Sequence, residues 1–270
     1  MILRVWLLTF LILLGYVSTV MGEGQRIISL SPSFTKMIYL LEAEDQLVGR
    51  TSFCDVAGDD KEIVASQMSI NTEKILGLDP DLVITSTLSP ARDIKALEQV
   101  GVPLNVMDMP GNFDDLCDQF MEIGRLTGKE NRARNIIERE KRRLEDVRES
   151  IPDDENPKVF LQLGAKPLFA AIPDTFADDY ISLAGGVNIA SDMKQGSINR
   201  ETVLARNPDA ILIIMMGRTG QQEKQTWLGY PGLSAAQSDN VHRMDEDDTA
   251  SPTPVTFVDT IARVIDLIYN

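Results

Sequence analysis

Short runs rich in Val, Ile and Leu alternate along the chain with segments whose apolar residues recur every three or four positions. Arg26-Ile-Ile-Ser-Leu30 predicts a strand, and Phe34–Leu41 predicts a helix with Met37, Ile38, Leu40 and Leu41 on its apolar side. Further strands are expected at Gln46–Val48, Asp81–Thr85 and Pro103–Met107, and helices at Thr72–Leu76, Ala91–Gln99 and Phe113–Leu126. The alternation restarts at Lys158–Leu163, continues through Pro167–Ala171 and Ala210–Ile214, and closes with a helix at Val255–Ile268. Strands and helices alternating at this spacing imply mainly parallel sheets covered on both faces.

Between the two α/β halves, Lys129–Ser150 is dense in charge of both signs and free of Gly and Pro. Its thin apolar stripe, Ala133, Ile136, Ile137, Leu144 and Val147, predicts a solvated helix packed along one face. At ~1.5 Å per residue these 22 residues span roughly 33 Å, the breadth of one lobe. Ile151-Pro152-Asp153-Asp154 ends the helix. Two arrangements fit the pattern: a helix joining two lobes, or a surface helix of one domain.

At the N-terminus Arg4 precedes an apolar run, Val5–Val20, that closes on Val20-Met21-Gly22 before Glu23-Gly24-Gln25. A positive start, an apolar middle and small residues near a cut make residues 1–22 a secretory signal peptide. The alternative is a membrane anchor, broken by Thr9, Gly15, Ser18 and Thr19. Cleavage after Gly22 removes Arg4 and leaves 248 residues at net charge −16. The mature protein is expected in the periplasm of a double-membrane bacterium.

Composition narrows the chemistry. With 41 acidic against 26 basic side chains and no basic run, a nucleic-acid partner is not expected. Two cysteines, Cys54 and Cys117, exclude a disulfide-dense scaffold and a four-cysteine zinc site, and the single His242 excludes a site needing several imidazoles. No phosphate-binding glycine loop and no G-x-S-x-G nucleophile turn occur. His242 reads as a general base or as a polar strand-end side chain. The run Asp245-Glu246-Asp247-Asp248 lacks the spacing of a calcium loop and is expected to be a solvated loop. Whether Cys54 and Cys117 pair is open, and Cys54 is also a candidate soft ligand to a bound metal complex. Met215-Met216-Gly217, directly after a strand, fits either an apolar pocket wall or core.

Five blocks then carry a resemblance. The stretch Arg26–Asp55 (RIISLSPSFTKMIYLLEAEDQLVGRTSFCD) resembles the opening of the periplasmic substrate-binding proteins of cobalamin and ferric-siderophore importers. Asn71–Ile84 is similar to that family's next block, and Glu201–Ile213 to its counterpart in the second lobe. Lys158–Phe169 and Leu183–Ala190 are most similar to the cobalamin-binding members, and the likeness runs in order from Arg26 to Ile268.

The resemblance implies an α/β fold of two Rossmann-like lobes joined by a single long α-helix, with a ligand cleft between the lobes. The first lobe would span 23–127, the joining helix 128–152 and the second lobe 153–270. It also implies a monomeric receptor without catalytic residues, cofactor or metal of its own. Such a receptor captures a metal chelate, a cobalt corrinoid or a ferric siderophore, and delivers it to an inner-membrane permease driven by an ATPase. Glu73 and Glu201, in the first turns of two predicted helices, match the glutamates that dock on permease arginines.

Strand-end loops nominate the cleft walls: Ser31, Pro32, Ser33, Phe53, Cys54, Asp55, Met68 and Ser69 from the first lobe. The second lobe adds Gly164, Ala165, Lys166, Gln195, Gly196, Met215, Met216 and Asp245, with Trp227 near the cleft or as a surface anchor. The chain departs from cobalamin binders where Met68 and Gln195 stand at clamp aromatics, Lys36 at a glutamate, and Val255 at an arginine. A haem receptor of the same family, a tetrapyrrole chelatase of similar architecture and a sensory or scaffold module remain as alternatives.

Overall fold

The computed structural model describes residues 25–52, 54, 60–66, 69–215 and 217–269. The expected signal segment 1–22 and the nominated Phe53, Asp55, Met68 and Met216 lie outside them.

The first half runs β1 (Ile27–Ser29), α1 (Pro32–Leu40), β2 (Leu47–Thr51), β3 (Glu62–Ala65), α2 (Thr72–Gly77), β4 (Leu82–Ser86), α3 (Ala91–Gln99), β5 (Leu104–Met107) and α4 (Phe113–Leu126). After α5 (Glu130–Arg148), the second half begins with β6 (Lys158–Ala165), β7 (Leu168–Ala170), α6 (Phe176–Ser182), β8 (Val187–Asn188), α7 (Arg200–Arg206) and β9 (Ala210–Ile213). It ends with α8 (Gly217–Leu228), α9 (Ser234–Gln237), β10 (Val241–Arg243), α10 (Glu246–Ala250) and α11 (Pro254–Tyr269). Among the described residues no helix is long and apolar enough to cross a membrane.

The first sheet is wholly parallel, ordered β3-β2-β1-β4-β5. Strand order therefore reverses between β1 and β4, opening a crevice at their carboxyl ends. The second sheet is ordered β10-β9-β6-β7, with β8 beside the start of β6. Within this mainly parallel arrangement β7, in the stretch expected at Pro167–Ala171, runs antiparallel to β6. Only Lys166-Pro167 separates the two strands, a hairpin connection too short for the crossover that a parallel pair requires.

The alternation of side chains along each strand explains the layers. Ile27, Ile84, Val159, Leu161 and Leu212 face one common core, which also takes Phe34 of α1, Phe120 of α4, Ile136 of α5 and Ile261 of α11. Their neighbours face outward: Ile28 and Val83 pack with Ile75 and Leu97, and Phe160 and Ile211 pack with Val203 and Trp227. The inner faces of both sheets thus share one hydrophobic core. Phe113 stacks on Phe257 with centroids 5.0 Å apart, and Phe257 meets Tyr180 at 4.7 Å, so α4, α11 and α6 interlock.

Helix α5 fits the predicted stripe: Ala133, Ile136 and Leu144 are buried while its other faces carry charge. Glu140, 1 % exposed, is held between Arg139 and Arg143 of the same helix, and Arg143 also pairs with Asp259 of α11. A positive-φ Gly128 (φ 69°) turns the chain from α4 into α5. The two helices then meet at Gly124, where an added Cβ would sit 2.7 Å from the Ala133 Cβ.

That close approach gives a stability test. Gly124→Ala should lower the unfolding free energy by about 1–3 kcal/mol through overpacking, although alanine is the better helix former by about 1 kcal/mol. Urea unfolding measures the difference, and an unchanged or raised midpoint would show that α4 and α5 are not in contact there.

Candidate functional site

A cavity of about 450 Å³ opens at the carboxyl ends of β1, β2, β3 and β4, where an open parallel sheet places its loops. Leu30, Ser31 and Pro32 line it after β1, and Thr51 and Ser52 line it at the end of β2. Ser66, Ser69 and Ile70 follow β3, Ser86 ends β4, and Leu88, Ser89 and Pro90 follow it. Asp93 enters from the first turn of α3. The opposite wall comes from the second half: Glu246, Asp247, Ala250 and Ser251 of α10 and its end.

The acidic run is therefore not a solvated loop. It forms α10, capped by Asp245, whose Oδ1 accepts from Asp247 N at 3.0 Å and Asp248 N at 3.4 Å. Lys36 of α1 fixes the helix across the junction. Its side chain, only 5 % exposed, bonds Asp247 O at 2.7 Å and Asp247 Oδ2 at 2.8 Å, with Asp248 Oδ1 at 3.6 Å. Ser33 Oγ donates to Pro252 O at 2.6 Å and closes the same seam. The partly buried Glu246 carboxyl is pushed above the usual range by burial, opposed by Arg243 and reinforced by Asp245 and Asp247.

Of the first-lobe residues nominated from sequence, Ser31, Pro32 and Ser69 line the cavity. Ser33 supports it from the seam. Cys54 is not a lining residue: it is buried, 1 % exposed, with its thiol 3.9 Å from the O of the lining Pro32. Cys54 and Cys117 are not joined in a disulfide; burial within α4 pushes the Cys117 thiol up to about 12.

The second-lobe nominees gather elsewhere. Gly164 lies near the end of β6 and Lys166 in the β6–β7 turn, and Gln195-Gly196 runs beside β7, where Ala170 N donates to Gly196 O at 2.8 Å. Phe169, 41 % exposed on β7, lies against Gly196 so closely that a Cβ there would be 2.5 Å from the ring. None of these four, nor Met215 or Asp245, is among the residues lining the cavity. His242, on β10, contacts Asn240 Oδ1 at 2.9 Å; burial, aided by Lys224 and Arg263, holds its pKa below the ordinary value.

Trp227 is the clearest correction. It is fully buried, neither a cleft wall nor a surface anchor. Its Nε1 donates to Gln162 Oε1 at 2.7 Å, Phe160 meets it edge-on at 5.7 Å, and the Arg200 guanidinium lies 4.5 Å from the ring. Glu223 completes the network, accepting from Arg200 at 2.5 Å and from Gln162 Nε2 at 2.8 Å. Met215 joins it through a 3.6 Å contact from Gln162 Nε2 to its sulfur.

Thr51, Ser66, Ser86, Leu88, Ser89, Asp93 and the α10 acids escaped the sequence reading. The signal was present for those at strand ends, since Thr51 and Ser86 are the terminal residues of β2 and β4. No local pattern could carry α10 across to the first sheet.

Glu73 and Glu201 occupy matching places. Each is exposed at the second position of a helix capped by asparagine: Asn71 accepts from Lys74 N at 3.0 Å, and Asn199 accepts from Thr202 N at 2.8 Å. Both carboxylates are favoured by the helix dipole without needing another role.

Comparison with known proteins adds four findings. The profile of the family described as periplasmic binding protein matches residues 27–247. A vitamin B12-binding protein of Yersinia pestis is 30% identical over 195 residues, which cover 70% of this chain and 69% of that protein. The periplasmic vitamin B12 binding protein of Vibrio cholerae superposes with a TM-score of 0.77 at 27% identity, covering 91% of this chain and 97% of the other. A periplasmic haem binding protein of Vibrio cholerae, at 22% identity and 0.79 over 91% and 99% of the two chains, shares the fold.

The packing of Trp227 fixes its spectroscopic behaviour. In the protein lacking residues 1–22 it is the one tryptophan, and its emission should be blue-shifted and resist acrylamide quenching. Emission like that of free indole, quenched readily, would put the ring at the cleft surface instead.

Proposed function

We propose that this chain, which belongs to the periplasmic binding protein family, is the soluble receptor of an ABC importer for a metal chelate. A cobalt corrinoid is the leading cargo. The observation that carries this reading is the cavity at the strand reversal of the first sheet, walled on its far side by α10 of the second half. The similarity to vitamin B12-binding proteins supports the corrinoid over other chelates.

The reading assigns each part a task. The serine- and threonine-rich strand ends offer hydroxyls to the amide rim of a large ring, while Leu30, Pro32, Ile70 and Leu88 offer it apolar contact. The shared core keeps the two walls in register, so capture needs no covalent step and no turnover. Residues 1–22 direct export to the periplasm. The chain acts as a monomer, and Glu73 and Glu201 dock one on each half of a permease in the inner membrane. The division at 23–127, 128–152 and 153–270 follows, with α5 as the joining helix.

Calorimetric titration of residues 23–270 should give saturable one-to-one binding of cobinamide or cobalamin, with the ligand recovered unchanged. Glu73→Lys with Glu201→Lys should preserve that affinity while lowering corrinoid uptake in cells. Tight binding of haem instead would reassign the cargo, and binding of no chelate would remove the receptor reading.

A further inference from the structure

The cavity wall has a sign. Three of its oxygens, Thr51 Oγ1, Asp93 Oδ2 and Glu246 Oε2, are buried from solvent and have no hydrogen-bond partner among the described residues. Thr51 is itself only 6 % exposed and is one of the lining residues. A buried polar group left unpaired is costly, and such groups in a binding site mark where a ligand completes the bonding. Two of the three are carboxylate oxygens from opposite walls, Asp93 from the first half and Glu246 from the second.

No lysine, arginine or histidine lines the cavity among the described residues. The cations that meet the lining acids are not lining residues themselves: Arg92 reaches Asp93 Oδ1 at 3.2 Å, Lys36 holds Asp247 from the seam, and Arg243 acts on Glu246.

We infer that the cavity selects a chelate whose rim is neutral to cationic and rich in N–H or O–H donors, and rejects one that presents carboxylates or catecholates. An anionic rim would meet Asp93 and Glu246 with no lysine, arginine or histidine among the described lining residues to answer it, and like charges brought together oppose binding. Amide, ammonium or hydroxyl donors would instead satisfy all three orphan oxygens. This inference rests on the receptor reading above and specifies the chemistry of its cargo.

The test holds the ring constant and changes its charge. Calorimetry compares cobinamide, whose corrin carries amide side chains, with cobyrinic acid, the same ring carrying carboxylates. Cobinamide should bind at least about tenfold tighter, the modest end of what like-charge juxtaposition imposes. Asp93→Asn with Glu246→Gln should shrink the ratio to about threefold or less, chiefly by admitting cobyrinic acid, since isosteric neutral groups remove the repulsion. Raising salt from about 50 to 500 mM should compress the wild-type ratio, an independent readout if the double variant folds poorly.

Equal or tighter binding of cobyrinic acid by the wild type, or a ratio unmoved in a folded double variant, would overturn the charge selection and leave the receptor standing. Silence toward both rings and toward ferric chelates of either charge would overturn the receptor reading and this inference together.

Discussion

The position of α10 decides what the cleft is, and Lys36 ties α10 to the first half. A lysine side chain 5 % exposed is costly unless its ammonium finds acceptors, and here it takes the Asp247 carbonyl and carboxylate together. The contact joins residues 211 apart in sequence. It brings the N-terminal turn of α10 to the strand ends of the first sheet, with Glu246 and Asp247 in the wall. A glutamate in place of Lys36 would face Asp247 and Asp248 and push α10 away, so this lysine and the acidic run read as one device.

The larger frame is the shared core. Because the inner faces of both sheets pack on the same set of helices, the two halves cannot separate without exposing Phe113, Phe257 and Tyr180 to water. The stripe on α5 adds to this seal, and its charged faces keep the helix soluble along the outside. A cleft framed in this way is largely pre-formed, which lowers the ordering cost of capturing a rigid ring.

Much of the fold was legible in the residues because parallel strands buried on both faces read as continuous apolar runs. Ile27-Ile28, Leu82–Ile84 and Ala210–Ile213 are examples, and their boundaries match the structure within a residue or two. The stripe on α5 was equally plain. The site was less legible. Ser31, Pro32 and Ser69 follow from the rule that ligands sit at strand ends, but the Asp93 carboxylate comes from a helix and α10 from a contact more than 200 residues away. Trp227 misled for a physical reason: an amphipathic side chain at a helix end looks the same in sequence whether its N–H meets a ligand, water or, as here, Gln162. The apolar run at Pro167–Ala171 reads as a strand without giving its direction, which the two-residue connection to β6 sets.

A crystal structure of residues 23–270 with cobinamide bound tests the central claim most directly. The corrin should lie between the carboxyl ends of β1–β4 and α10, with ring donors within hydrogen-bond distance of Thr51 Oγ1, Asp93 Oδ2 or Glu246 Oε2. The Lys36–Asp247 contact should remain intact. A ring bound against another face, or one seated only after Lys36 has released α10, would contradict a pre-formed acidic cleft held by that lysine.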